Sequence, residues 1–136
     1  MRAGHAILTL MLLASPAAAA RAQGQAPVER APQDPSAYDP YHAEKSLEVG
    51  MYYFKKRNYD AAIERFQEAA RYKPNFARAY HLLGEAYEKK GDKGEAVKAY
   101  RKYLEILPSA EDAGKIRKRI NKLTREQERA ARRRSG

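Results

Sequence analysis

The chain contains one 34-residue unit twice, end to end, from Ala43 to Phe76 and from Ala77 to Ala110. Sliding the first onto the second superposes Gly50 on Gly84, Tyr53 on Tyr87, Ala62 on Ala96 and Pro74 on Pro108. Phe66 falls on Tyr100 and Val49 on Leu83. A fixed period of this length is the signature of a stacked-repeat architecture. Each matched place has a physical reason. Glycine inside a helix costs about 1 kcal/mol relative to alanine. Gly50 and Gly84 therefore make sense where a neighbouring helix must approach the backbone. Ala62 and Ala96 give the matching small surface on the second helix of each pair. Tyr53, Phe66, Tyr87 and Tyr100 fill the space between. Pro74 and Pro108 close each unit, because proline stops a helix.

Turn chemistry divides the units into helices. Asp39-Pro40 reads as an N-cap followed by proline at the first helical position, opening a helix over 40–56. Asn58 caps a second over 59–72, Asn75 a third over 76–90, and Asp92 a fourth over 93–107. Gly91 suits a left-handed helix exit. Ser109 with Asp112 reads as a weak capping box for a fifth helix. Ile116, Ile120 and Leu123 recur at helical spacing as one apolar stripe. Beyond Leu123 the sequence TREQERAARRRSG is polar and is expected to fray. The fifth helix then caps the last repeat, which stacked repeats require.

Small residue, aromatic, alanine, aromatic and proline at these places resembles the tetratricopeptide repeat. The likeness spans 68 of 136 residues, in two units. Ser46 stands where that family often has tryptophan, and the second unit has Tyr80 there. Tyr103 stands where the first unit has Ala69, so the second pair is expected to pack more loosely or splay. Val49–Ala69 also resembles a repeat of the outer-membrane assembly lipoprotein BamD. The resemblance implies an all-α fold: two helix-turn-helix repeats plus a C-terminal capping helix, in a short right-handed superhelical stack.

Residues 1–22 have a basic start, an apolar run from Ala6 to Ala14 and then small residues, the layout of a secretory signal peptide. The run is too short to span a bilayer. Cleavage fits after Ala20 or after Ala22. Residues 23–38 carry Pro27, Pro32 and Pro35 among polar residues and read as a flexible linker. The repeat domain is then 39–124, with repeats 43–76 and 77–110 and a cap helix over 110–124, followed by a basic tail over 125–136. Two repeats are fewer than the three or so such stacks usually need. The cap therefore carries unusual weight, and self-association stays open. The chain has no cysteine, which excludes disulfides, thiolate metal sites and a lipid-acceptor cysteine. These readings place the chain as exported, in the periplasm or the envelope.

The formal charge of +10 is uneven. Residues 23–114 hold 15 basic and 15 acidic side chains, whereas 115–136 hold 10 basic against Glu126 and Glu128. The repeats are neutral and the terminus is a basic arm, with Arg129, Arg132, Arg133 and Arg134 at its end. Such arms meet nucleic acid or anionic membrane surfaces. Behind an export signal, nucleic acid fits poorly, and anionic lipid, polysaccharide or an acidic protein fits better.

No catalytic constellation, glycine-rich phosphate loop or nucleophile motif is present, and no cofactor is implied. His81 and Glu85 are four apart on one helix, which is too little for a metal site. The reading is non-enzymatic: a module for binding a protein or peptide. In the tetratricopeptide fold the first helix of each pair lines a concave face. Carried over by register, that face receives Leu47, Met51, Phe54 and Lys55, then Arg78, His81, Glu85 and Glu88, with Lys115 and Arg119 from the cap. The family's chaperone-binding members clamp a peptide's carboxylate with Lys and Asn. Leu47 and Met51 occupy the first such places, which argues against that mode. Methionine and phenylalanine suit an adaptable peptide or helix ligand. The alternative is a membrane- or polyanion-associated protein that binds through its basic arm while the repeats self-associate.

Overall fold

The structure, a computed structural model, describes residues 38–136, so the signal peptide and nearly all of the linker expected from the sequence lie outside the described residues. Five helices follow one another: α1 Pro40–Lys55, α2 Tyr59–Tyr72, α3 Ala77–Lys90, α4 Lys93–Ile106 and α5 Ala113–Arg134. Among the described residues there is no strand, and the fold is all-α. Each helix packs mainly on its neighbours in the chain, α1 on α2, α2 on α3, α3 on α4 and α4 on α5. This is a stack of two helix pairs closed by a single helix.

Local chemistry sets most of the helix ends. The Asp39 carboxylate accepts from the backbone N–H of His42 at 3.0 Å, with Pro40 next to it in the first turn. His42 also lies against the second carboxylate oxygen of Asp39, and these contacts hold that carboxyl below its ordinary pKa. Asn58 accepts from Ala61 N–H at 3.3 Å and Asp92 from Glu95 N–H at 3.2 Å. Gly91 leaves α3 at φ 93°, in the left-handed region. The matching place in the first unit is Arg57, which takes φ 61° without being glycine. Left-handed backbone at a residue bearing a Cβ costs about 1–2 kcal/mol. The turn is nonetheless imposed, because α1 and α2 must fold back on each other.

Two expected starts are corrected. Asn75 does not cap α3; Phe76 is the N-cap residue and makes no side-chain cap bond. The Phe76 ring is buried in the core, and Lys73 Nζ lies 4.4 Å from its centroid. Burying a side chain of this class is worth about 1.5–3 kcal/mol against about 1 for a cap, so burial decides the boundary. Nor do Ser109 and Asp112 form a capping box: residues 107–112 lie outside any helix, and α5 starts without a side-chain cap. Asp112 is engaged elsewhere, accepting from Tyr103 Oη at 2.6 Å and meeting His81 Nε2 at 3.3 Å.

The core forms in two clusters. One joins Ala43 and Leu47 of α1 to Ile63, Phe66 and Tyr72 of α2 and to Ala79, Leu83 and Ala86 of α3. The other joins Val97, Tyr100 and Tyr103 of α4 to Ile116, Ile120 and Leu123 of α5. Tyr80 and Tyr87 pack against both. The repeated glycines are contact points. A Cβ on Gly50 would lie 2.5 Å from Phe66 Cε1, and one on Gly84 would lie 2.5 Å from Tyr100 Cδ1. The second pair does not splay at Tyr103: its ring is buried, and its hydroxyl ties α4 to the turn before α5.

The expected fraying after Leu123 is also corrected, because α5 runs without a break to Arg134. Glu126 pairs with Lys93 Nζ at 2.7 Å, which lowers its carboxyl pKa and fastens this stretch to the start of α4. Residues 124–134 consist largely of good helix formers, and nothing in them breaks the run.

Candidate binding groove

The first helices of successive pairs, and α5 after them, share one face of the stack. On it Phe54, Glu85, Glu88, Lys89 and Arg119 line an open groove of about 440 Å3. Four of these are residues the sequence places there, and they come from α1, α3 and α5. Lys89 was missed; it sits in the last turn of α3, one step beyond the register places carried over. Phe54 is half-buried, its ring edge-on to Tyr59 at 5.5 Å. Glu88 is neutralised in place, accepting from Tyr100 Oη at 3.0 Å and pairing with Arg119 Nε at 2.9 Å. Arg119 also lies 5.9 Å from the Tyr100 ring centroid. The groove thus has an aromatic wall and a fixed carboxylate–guanidinium pair.

The remaining candidates divide. Leu47 is 1% exposed and is among the largest fully buried side chains, so it is a core residue that a ligand cannot reach. Met51 and Arg78 do not line the groove and meet each other instead, the Met51 sulfur accepting from Arg78 Nη2 at 3.5 Å. Lys55 and Lys115 are exposed and do not line the groove. His81 turns toward the base of α5, against Asp112 and edge-on to Tyr103 at 5.1 Å, and not toward Glu85. A second groove of about 420 Å3 lies where α2 and α4 diverge over α3, with Ala70, Tyr80, Leu83, Tyr87 and Ala99 among its lining. Sequence reasoning did not anticipate it, because it needs the spacing of α2 from α4.

The description "Tetratricopeptide repeat" belongs to a family model that matches residues 47–111. Both helix pairs are tetratricopeptide repeats. Hsp70-Hsp90 organizing protein 3 of Arabidopsis thaliana is 36% identical over 72 residues, 53% of this chain and 13% of that protein. The probable UDP-N-acetylglucosamine–peptide N-acetylglucosaminyltransferase SEC of the same organism is 34% identical over 62 residues, 46% of this chain and 6% of that protein. The chain thus spans only a small part of these curated relatives. The crystal structure of MamA superposes with a TM-score of 0.52 at 26% identity, covering 73% of this chain and 63% of that one. These relatives support the repeat; the narrower likeness of Val49–Ala69 to BamD gains nothing from them.

Extending the tetratricopeptide period once more shows what α5 is. It holds the place of a third repeat's first helix, but Lys118 and Asn121 stand where Gly84 and Tyr87 stand in the second. Lys115, Lys118, Lys122, Arg125, Arg129 and Arg132 are all exposed and recur at steps of three and four. They form one basic stripe about 26 Å long at 1.5 Å per residue, opposite Ile116, Ile120 and Leu123. The basic arm is therefore a helical face. Arg134 leaves that face and lines a groove with Lys90, Gly91 and Lys93 instead.

Two buried phenols are held neutral. Tyr100 is pushed well above the ordinary tyrosine value by burial and by the Glu88 carboxylate. Tyr103 is raised to about 12 by its bond to Asp112 and by burial. A raised folded value stabilises the protein below the unfolded pKa of about 10 and loses that contribution as pH climbs through the folded value. Stability should therefore decline between pH 10 and about 12, and Tyr103→Phe should make that decline shallower. Urea unfolding at both ends of the window checks this. An unchanged slope would mean that the Tyr103–Asp112 bond is absent in solution.

Proposed function

We propose that this protein is an exported, non-enzymatic interaction module that holds a peptide or helix of a partner protein in the groove between α1, α3 and α5. It would serve as an adaptor or assembly factor of the cell envelope. The observation carrying this reading is the convergence of Phe54, Glu85, Glu88, Lys89 and Arg119 from three helices on one open groove. An aromatic wall beside fixed charges of both signs selects an amphipathic segment: an apolar anchor against Phe54, with flanking groups that match Glu85 and Lys89. Hsp70-Hsp90 organizing protein 3 is by its name a protein that organises other proteins. A carboxylate clamp of the chaperone-binding kind finds no support here, since Leu47 is in the core. The non-enzymatic part of the reading rests on the repeat itself and on the organizing protein among its relatives. Export rests on the signal-like residues 1–22.

Peptides selected on this chain from a displayed library should bind Phe54→Ala about tenfold more weakly, the loss of roughly 1.4 kcal/mol of contact. The helical signal of that variant should stay as in the parent. Normal binding by Phe54→Ala, with selected peptides competing instead for the groove between α2 and α4, would move the site there.

The stripe on α5 favours a second reading, attachment to an anionic surface. Each cation near an anionic membrane adds about 1 kcal/mol, and screening in physiological salt cuts the reach to about 8 Å. Vesicles containing anionic lipid should bind the chain in low salt and release it as salt rises. Replacing Lys118, Lys122, Arg125 and Arg129 by Ser should abolish binding. Equal binding to neutral vesicles would leave the stripe a solubilising face.

A further inference from the structure

The two ends of the stack are unlike. At the α5 end, Lys118 and Asn121 replace the glycine and tyrosine that receive a second helix, so a basic face ends the stack. At the α1 end the outward face is aromatic. Tyr41 is 61% exposed, Val49 42% and Tyr52 58%, and Tyr41, Lys45, Glu48, Val49 and Tyr52 share that face at helical spacing. The repeat period shows what such a face normally does. Lys45, Val49 and Tyr52 hold the places of Ala79, Leu83 and Ala86, which α3 buries in the cluster it shares with α2. In α1 those places have nothing over them among the described residues. They also lie on the side of α1 opposite Phe54, and so apart from the groove.

We propose that this face docks against the same face of a second copy, in a closed twofold pair. Its residues are complementary to themselves. An antiparallel pairing with the axis between Ser46 and Leu47 sets Tyr41 against the copy's Tyr52. The same axis sets Lys45 against the copy's Glu48. Lys45 and Glu48 now face each other within one helix at 3.8 Å, both largely exposed, and so can exchange partners with little loss. One axis therefore satisfies the aromatic and the charged residues together, twice over. Exposed tyrosines are favoured anchors in interfaces, and an aromatic face with balanced charge is what a self-association surface looks like. Head-to-tail growth is disfavoured, because the α5 end offers Lys118, Lys122 and Arg125 where an apolar face is needed.

The test is sedimentation of the chain as its own cells produce it. The parent should be a concentration-dependent dimer, and Val49→Glu with Tyr52→Glu should be a monomer with an unchanged helical signal. Lys45→Glu alone and Glu48→Lys alone should each weaken the dimer by about tenfold, since two attractive pairs become repulsive. Mixing these two variants should restore dimerisation, because only the mixed pair regains both oppositely charged contacts. A parent that stays monomeric would overturn the proposal and point to residues 1–37 or another protein as the cover. Dimers that survive the Val49 and Tyr52 changes would overturn it, as would a mixture no tighter than its components.

Discussion

Ile116→Asp combined with Ile120→Asp should leave a chain with no cooperative thermal transition. Ile116 is 3% exposed and Ile120 8%, and both close the cluster that contains Val97, Tyr100 and Tyr103. Burying each isoleucine is worth about 1.5–3 kcal/mol. The substitution loses both contributions and also puts two carboxylates where water is excluded, at further cost. A small domain has only about 5–15 kcal/mol in total. In a long solenoid such damage would stay local, but here α5 alone covers the face of α4 that carries Val97, Tyr100 and Tyr103 among the described residues. The check is far-ultraviolet circular dichroism against temperature, with exposed Lys118→Asp as control. A double variant that melts like the parent would show that α5 is not a structural cap.

Phe66→Ala should lower stability by about 3–5 kcal/mol, the usual cost of emptying a buried aromatic site. Its coupling to Gly50 gives the sharper result. By helix propensity alone, Gly50→Ala should stabilise by about 1 kcal/mol. In the parent it should instead destabilise, because the new Cβ would lie 2.5 Å from a Phe66 ring that is fully buried. Overpacking of this kind costs about 1–3 kcal/mol. In the Phe66→Ala background the ring is gone and only Arg65 Cβ stays close, at 3.2 Å, a contact that α1 and α2 can relieve by a shift of a few tenths of an ångström, so Gly50→Ala should stabilise. The change of sign, read from denaturant curves of the four chains, measures the contact directly. Stabilisation by Gly50→Ala in both backgrounds would mean that close approach is not why glycine stands there. Gly84 and Tyr100 should behave alike, one period later.

The groove was legible because the period fixes which residues share a face. Glu85 and Arg119 stand 34 residues apart, and Phe54 and Glu88 likewise, so helices of successive pairs bring them together. Leu47 obeys the same register and yet is core. How far α1 is rotated about its axis depends on α2 and α3 packed against it, and no local pattern encodes that angle. Lys89 enters the groove for the same reason.

The repeat, its glycine–aromatic pairs, the caps at Asp39, Asn58 and Asp92 and the apolar stripe of α5 follow from the sequence by itself. Each depends on residues close in the chain or on a strict period. Tertiary structure decided where local signals competed with burial. Phe76 displaced Asn75 as the start of α3 because its ring is worth more in the core than a cap is at the surface. Asp112 bonds to Tyr103 and His81 because the fold brings them there. Arg57 accepts a left-handed backbone because two packed helices require the turn. The basic tail became a helical stripe because α5, once docked through Ile116, Ile120 and Leu123 and fastened by Lys93 to Glu126, lowers the cost of adding each further turn.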